Sequence, residues 1–591
     1  MSIRVGEVVA VQGTNITLRI FDESSLETLF YDGHKYKGIS IREYIGIKRG
    51  FSLIVCIIEG EYLDERRFEK EEQSINYLRK VEAKPIGYFQ QKIFNDGIKY
   101  MPMIKDSAYL LNESQISEIF SQNENGSFII GKMLKEEIPV SLPWERLFNS
   151  HIGIFGNTGS GKSNTLTKLY TELFANFEEK IKGKSQFLLI DFNGEYTGDQ
   201  LISDKANKKC FELNTRKKDG SKFPLPSSQI WNTEILALLF QATANTQTPF
   251  LNRVVEGRNK FQGNPDSLKT YVKKTIEACF VTDTQKKDAL SLMKVIAEHL
   301  HDDAFSGYLG RVKWHGGQDQ QKFYIPDAGV YFDDEAKFNR SMRPYLDKLT
   351  INVENEFDEI IVRINLQLLR DLMGNYVQYD HIQPLLKRVE ASVIDLNKIF
   401  EINNTKNQKF ALLNVVSLRN CNQATKKIVP LLLAKMFYQE HRNKVSAQPN
   451  KTLHFIVDEA HNILSQQSNR EHEVWKDYRL ELFEEIIKEG RKFGIYVTLS
   501  SQRPADISPT IMSQLHNFFL HRLVNDKDLI LIDNTISTLD RLSKSLIPNL
   551  SKGSCIATGT AFDLPIVLQV DKLIDGKRPD SDDVDLTKLW V

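Results

Sequence analysis

The run Gly156-Asn157-Thr158-Gly159-Ser160-Gly161-Lys162-Ser163 concentrates residues whose types and spacing suit phosphate chemistry. Its glycines let the backbone curl so that successive N–H groups point at one centre, as phosphate oxygens require. Lys162 would reach the β- and γ-phosphates of a nucleoside triphosphate, and the Ser163 hydroxyl would ligate Mg²⁺. A helix beginning near Lys162 adds the positive end of its dipole. A glycine-rich turn by coincidence is the competing reading, and the context weighs against it. The apolar run His151–Phe155 precedes the loop as a buried strand. After it, Leu166, Leu169, Tyr170, Leu173, Phe174 and Phe177 recur at the spacing of one helical face packed on a sheet.

A second apolar strand, Leu453–Val457, ends in Asp458 and Glu459. Such a pair suits metal-assisted hydrolysis: Asp458 would hold the Mg²⁺ shell, and Glu459 would orient or deprotonate the attacking water. Two carboxylates at a strand's end are common by themselves, and they acquire meaning here from the phosphate loop. His461 follows, either coupling the site to movement or satisfied at the surface. Phe187–Ile190 is a third buried strand, running into Asp191 and Glu195. These acids are possible accessory groups, with Glu195 beside the γ-phosphate or on a DNA-side loop. A loop carboxylate in a turn is the equal alternative. Gln502, after the strand Ile495–Ser500, is placed to hydrogen-bond a γ-phosphate or lytic water and so to sense whether the bond is intact. Arg491 ends a helix whose apolar face is Leu480, Phe483 and Ile487. It is either a helix C-terminal cation favoured by the dipole or an arginine finger reaching a neighbouring subunit's ATP.

The elements that must position these groups follow from patterning. Residues 1–145 read as a small N-terminal β-barrel. Ile16, Leu18 and Ile20 alternate with polar residues, Phe51–Ile58 suits a buried strand, and Gly87–Phe89 and Ser127–Ile130 keep a barrel's spacing. From 146 to 227 strand, helix and strand give a parallel α/β signature, the first part of a RecA-like P-loop ATPase core. Residues 228–405 read as a mostly helical insertion, with helices over Ile230–Ala242, Pro265–Cys279 and Thr284–His301 and a polar stretch near Gly316–Lys322. The core resumes over 406–574 with Phe410–Leu418 and the helix Ile428–Tyr438. A polar, acidic tail, 575–591, closes the chain.

Composition bounds the rest. Hydrophobic residues make 41% and charged residues 26%, ordinary for a soluble protein. The apolar run Phe51–Ile58 is far too short to span a bilayer, so no membrane partner is expected. Neither a leader sequence nor a disulfide or zinc spacing is seen; five scattered cysteines fit a reducing, cytoplasmic compartment. With 77 basic and 77 acidic residues the formal charge is zero, so any DNA must be met by a local basic surface. Lys205, Lys208, Lys209 and Arg216–Lys218 are candidates; a solvated loop is the blander reading.

Together these motifs resemble the HerA family of hexameric DNA translocases, within the larger group that includes FtsK. The resemblance is carried by His151–Ser163 with Asn164, Asp191–Tyr196, Phe455–His461, Glu489–Gly494 and Ser501–Pro504. Val5-Gly-Glu-Val-Val, Ile129-Ile-Gly-Lys and Leu546–Val570 extend it through the barrel and the last strands. It implies a homohexamer, ATP and Mg²⁺ between subunits, Asn164 with the nucleotide, Arg491 as a trans-acting finger, Gln502 as sensor, and DNA through a central pore. It also implies an effector protein, such as a NurA-like nuclease or a sirtuin-like NADase, in DNA end processing or anti-phage defence. The charged segment Asn469–Arg479 is expected to be a partner surface. Two alternatives remain: an ATP-regulated hexameric scaffold that activates its effector without processive translocation, and a DEAH-box helicase. Asp458-Glu459-Ala460-His461 suggests the second, but such enzymes carry two RecA-like domains where one is expected here.

Overall fold

The computed structural model describes residues 3–21, 28–31, 33–66, 76–120, 128–217, 220–261, 264, 266–317, 320–353, 355–403, 410–445, 449–466, 473–580, 589 and 590. Six N-terminal strands form a closed barrel: β1 (Arg4–Gln12), β2 (Asn15–Ile20), β3 (Tyr44–Arg49), β4 (Ser52–Arg66), β5 (Asn76–Gln90) and β6 (Ser107–Leu110). They pair in the order β2-β1-β6-β3-β4-β5, and β5 returns to β2 to close the ring. Period-two alternation puts Ile16, Leu18, Ile45, Ile47, Ile54 and Cys56 in the barrel's core.

Two further strands, β7 (Phe128–Met133) and β8 (Pro139–Leu142), do not join the barrel as the spacing of Ser127–Ile130 suggests. The six strands pair all the way round and leave no free edge within the ring. Instead β7 pairs antiparallel with Ile566–Val570 at the edge of a central sheet. Among the described residues that sheet has eleven strands. Its parallel part contains β9 (Ile152–Phe155), β10 (Ser185–Asp191), β11 (Lys208–Asn214), β12 (Leu413–Asn420), β13 (Thr452–Val457), β14 (Ile495–Ser501) and β15 (Asn517–Leu520). Antiparallel strands β16 (Ser554–Gly559) and β17 (Ile566–Val570) complete the order β8-β7-β17-β16-β15-β9-β14-β13-β10-β12-β11.

Both faces of the sheet are covered, which is why its strands are apolar without alternation. Leu188 and Ile190 of β10 pack into one core, Phe187 and Leu189 into the other. Helix α1 (Lys162–Ile181) supplies Leu166, Leu169, Tyr170, Leu173, Phe174 and Phe177 to the second core, the face its sequence spacing predicts.

Between β11 and β12 the chain builds a largely helical region, including α2 (Gln247–Lys260), α3 (Ser267–Phe280), α4 (Lys287–His299), α5 (Glu356–Met373) and α6 (Tyr379–Ile399). Helix α5 lies at its centre, started by Asn355, whose side chain accepts from the N–H groups of Phe357 and Asp358. The polar stretch near Gly316–Lys322 belongs to a small antiparallel sheet of Lys313–Gly317, Gln320–Ile325 and Val330–Tyr331. A parallel pair, Phe223–Pro226 with Phe400–Asn403, draws the region's two ends together. The core continues with α7 (Gln423–Lys444) and α8 (Glu473–Glu489). All five cysteines are free thiols, and among the described residues no helix is long and apolar enough to cross a membrane. The last turns of the chain, expected to be a tail, are described only to residue 580 and at 589 and 590.

Candidate functional site

Four parallel strands deliver their C-terminal ends to one edge of the sheet: β9 to Gly156, β10 to Asp191, β13 to Asp458 and β14 to Gln502. Ligands of open α/β sheets collect at this edge. The loop after β9 depends on its glycines. Gly159 and Gly161 adopt φ of 73° and 114°, the left-handed region that side chains resist. At Gly156 a Cβ would come within 2.4 Å of the His521 Cβ, and at Gly161 within 2.9 Å of the Gly553 Cα. The curl is thus pressed against β15 and β16 and admits no side chain at either point.

Lys162 opens α1, is buried, and donates from Nζ to the Asn157 carbonyl at 3.2 Å. Burial lowers its pKa, while Glu459, Asp458 and Glu195 pull it back up, so the ammonium faces three carboxylates. One carbonyl satisfies only part of an ammonium's three-donor capacity. Asn164 is turned away from the curl, donating from Nδ2 to the Asp571 carbonyl at 3.1 Å. Thr158 donates its hydroxyl to Gln502 Oε1, which ties the loop to the end of β14.

Asp458 is buried and accepts from the Tyr196 hydroxyl at 3.2 Å and from the Glu459 N–H at 3.0 Å. Glu459 sits at φ 50°, unusual for a residue with a side chain and a local strain of the kind found at functional turns. Burial raises its pKa, Asp458 raises it further, and Lys162 and Gln502 oppose the shift. Its Oε2 is buried, 3.3 Å from His461 Nδ1, and makes no hydrogen bond among the described residues. His461, half-buried, leans on Glu459 and lies 3.3 Å from the Ser501 hydroxyl.

Asp191 and Glu195 divide the two readings that the sequence left open. The Asp191 carboxylate accepts from the backbone N–H groups of Asn193, Gly194 and Glu195 on Oδ1 and of Tyr196 on Oδ2, at 2.7–3.2 Å. It organises a turn, and burial, with the Asp458 charge adding to it, pushes it up to about 6 against the N–H groups of Tyr196, Glu195 and Gly194. The turn delivers Glu195 to Ser163. Burial and the Asp458 charge push Glu195 up to about 7, with the Ser163 hydroxyl and Asn193 opposing.

Arg491 lies elsewhere. It occupies the turn Gly490–Phe493 before β14, whereas Gln502 follows β14. Seven extended residues separate the two ends of that strand, about 20 Å. Arg491 is exposed, and its Nη1 lies 2.8 Å from His516 Nε2. Behind it His151 is fully buried, accepting at Nδ1 from the Val497 N–H (3.0 Å), with Nε2 2.8 Å from the Ile487 carbonyl. Arg491 therefore cannot meet its own chain's phosphate loop.

His521 was not foreseen. It is fully buried behind the loop, with Nε2 2.9 Å from the Thr165 hydroxyl, and burial brings it down to about 3. No sequence motif marks it; only the register of β15 beside β9 brings it there. The basic candidates do not form one patch. Lys208 is buried and donates to the Gly198 and Gln200 carbonyls at 2.6 and 2.7 Å. Lys205, Lys209, Arg216 and Lys217 are exposed along and beyond both ends of β11, and Lys218 lies outside the described residues. Of the segment Asn469–Arg479, residues 469–472 lie outside them too. Arg479 itself is buried, donating to the Ser465 carbonyl at 2.9 Å, so it presents no charge to a partner.

The HerA helicase central-domain family matches residues 128–313. The chain is 22% identical over 538 residues to a probable helicase of Methanocaldococcus jannaschii, spanning 91% of this chain and 86% of that protein. It is 23% identical over 573 residues to the DNA double-strand break repair helicase HerA of Sulfolobus acidocaldarius, spanning 95% and 90%. Among solved structures, VirB4 of Thermoanaerobacter pseudethanolicus aligns at 14% identity and a TM-score of 0.40, over 77% of this chain and 98% of that one. Through the central-domain match and relatives that align along nearly its whole length, the chain is related to the HerA helicases.

Proposed function

We propose that this protein is an ATP-hydrolysing DNA motor: a RecA-like P-loop ATPase that works as a ring of six, with nucleotide between subunits and DNA through the middle. The observation that carries the reading is the convergence of the glycine curl, Lys162, Ser163, Asp458, Glu459 and Gln502 on one sheet edge. The residues there fit ATP and Mg²⁺. The buried Lys162 ammonium donates to one carbonyl and faces three carboxylates, and a buried Glu459 oxygen makes no hydrogen bond among the described residues. Ser163 and Asp458 would hold the ion directly or through water. No cluster of three His, Cys, Asp or Glu side chains forms a metal site among the described residues, so phosphate and water oxygens would complete the shell, as Mg²⁺ prefers. Bound there, Mg²⁺ would neutralise phosphate charge.

Each side chain then has a task. The loop's N–H groups and Lys162 bind and orient the phosphates. Glu459, with its pKa raised, takes the proton of the attacking water. Gln502, bonded to Thr158 and set beside Glu459, changes partners when a γ-phosphate is present and so reports on it. Glu195 positions the Ser163 hydroxyl, and Asp191 holds the turn that brings Glu195 there. Arg491 completes the site of the next subunit. An effector, nuclease or NADase, would use the motor in DNA end processing or anti-phage defence. The reading is tested by measuring phosphate release from the purified protein with Mg²⁺-ATP, with and without DNA. Hydrolysis abolished by Lys162→Ala supports it; no nucleotide retention and no phosphate release in assembled protein would overturn it.

A further inference from the structure

Away from the phosphate loop, helices α2, α3 and α5 line a half-open cavity of about 530 Å³, within the size range of small-molecule sites. It lies in the helical region, which the motor reading leaves without a task. Its ionisable lining is Arg258, Lys274, Arg363 and Arg370 with Tyr271, and no acidic residue is among the lining groups. Two of these cations are neutralised. Arg258 lies over the Trp231 ring and 3.3–3.5 Å from Glu356 and Glu359, and Arg363 donates from Nε to Glu359 at 2.6 Å. Lys274 and Arg370 take part in no ion pair among the described residues. They stand at a wall that joins neutral polar side chains such as Thr270 and Gln367 to an apolar and aromatic part made by Val254, Phe261, Tyr271, Ala278 and Met373.

Gly257 adds an independent observation. It lies inside α2, where glycine weakens a helix, and it lines the cavity. Close packing does not require it, since a Cβ there would meet no atom within 4 Å. The missing side chain leaves room that the protein does not fill.

We propose that this cavity binds a small nucleotide, its base against Tyr271, Phe261 and Met373 and its phosphate on Arg370 and Lys274. Guanidinium groups suit phosphate oxygens, and an apolar wall bearing aromatic rings suits a flat base. A half-open cavity of this size, set between three helices, takes one such molecule, whereas a duplex offers its phosphates along an extended surface. The site is separate from the phosphate loop and neither needs that loop nor Mg²⁺.

The test uses the full-length protein carrying Lys162→Ala, in EDTA, titrated calorimetrically with AMP, GMP, CMP and UMP in turn and with inorganic phosphate. At least one monophosphate binds at one per chain, at least tenfold more tightly than phosphate alone. Arg370→Gln and Gly257→Leu each weaken that binding at least tenfold. Gly257→Leu fills the cavity from a helix it also strengthens, so it melts no lower than its parent, and its loss of binding is not unfolding. In the otherwise native protein, Gly257→Leu leaves basal ATP hydrolysis unchanged. Binding by none of the four, binding no tighter than phosphate, or binding indifferent to both substitutions overturns the proposal. A signal seen only when Lys162 is intact belongs to the phosphate loop and overturns it equally.

Discussion

The placement of Arg491 makes the sharpest demand on the proposed ring. It stands about 20 Å from its own chain's Gln502, the length of β14, and an arginine side chain spans only about a third of that. If it serves hydrolysis, it serves a neighbour. Arg491→Ala should then leave nucleotide binding intact while slowing turnover by about 10³–10⁵-fold, the usual contribution of such a finger. Lys162→Ala should fail at the other half of the interface. In rings mixed from equal parts of the two variants, an interface works when an Arg491→Ala chain supplies the phosphate loop and a Lys162→Ala chain supplies the arginine. Random assembly into a head-to-tail ring makes about one quarter of interfaces complete. Steady-state phosphate release from such mixtures should therefore recover to about a quarter of the native rate if interfaces fire independently. Pure Arg491→Ala rings supply the baseline, and native mass measurement verifies mixing. Verified mixed rings that stay at the baseline refute the trans role, as does an Arg491→Ala protein of native activity.

Glu459→Gln should bind ATP normally and hydrolyse it about 10²–10⁴-fold more slowly, checked by nucleotide retention against phosphate release; unchanged turnover removes Glu459 as the base. Asp191→Ala leaves four backbone donors without their acceptor, whereas Asp191→Asn retains an oxygen for some of them. Ala should impair Mg²⁺-dependent nucleotide binding far more than Asn, and equal effects would mean the charge, not the turn, is what counts. Neutralising Lys205, Lys209 and Arg216 should flatten the salt dependence of DNA binding if they touch phosphates. Lys208→Ala, which strips two carbonyls of their donor, should instead lower the melting temperature with the salt slope unmoved. For pH, His454 is buried and stacked on Phe187, and burial brings it down to about 3. Folded, it stays neutral; unfolded, it takes up a proton below about pH 6.5, so its contribution is complete above that pH and is lost as pH falls towards 3. Stability should thus drop by about 1.4 kcal/mol per pH unit near pH 5 on its account. His454→Phe should flatten the melting-temperature profile between pH 6.5 and 4; an unchanged slope would clear the histidine.

What could be read from the sequence was what is local. The phosphate loop, the acids after β13 and the amphipathic face of α1 each lie within one short segment, so residue type and period suffice to place them. Sheet membership was harder, because a strand's partner is chosen by whichever edge is open. Phe128–Met133 has the pattern of any half-buried strand, and the barrel's closure is what sends it to β17. Among the basic residues after β10, Lys208 was illegible for a related reason: charge in a sequence says nothing about direction, and Lys208 turns inward to two carbonyls.

The least legible features are those made by register between distant strands. His521 lies more than three hundred positions from the loop it supports, and only the pairing of Phe155 with Leu520 brings it behind Gly156. The same parallel register decides the two fates of the functional groups. Strands running one way must gather every residue that follows them at one edge and every residue that precedes them at the other. Gly156, Asp191, Asp458 and Gln502 follow their strands and meet; Arg491 precedes its strand and is excluded. If Arg491 serves as a finger, this position makes it useless to a lone chain, so the proposed role and the proposed assembly stand or fall together.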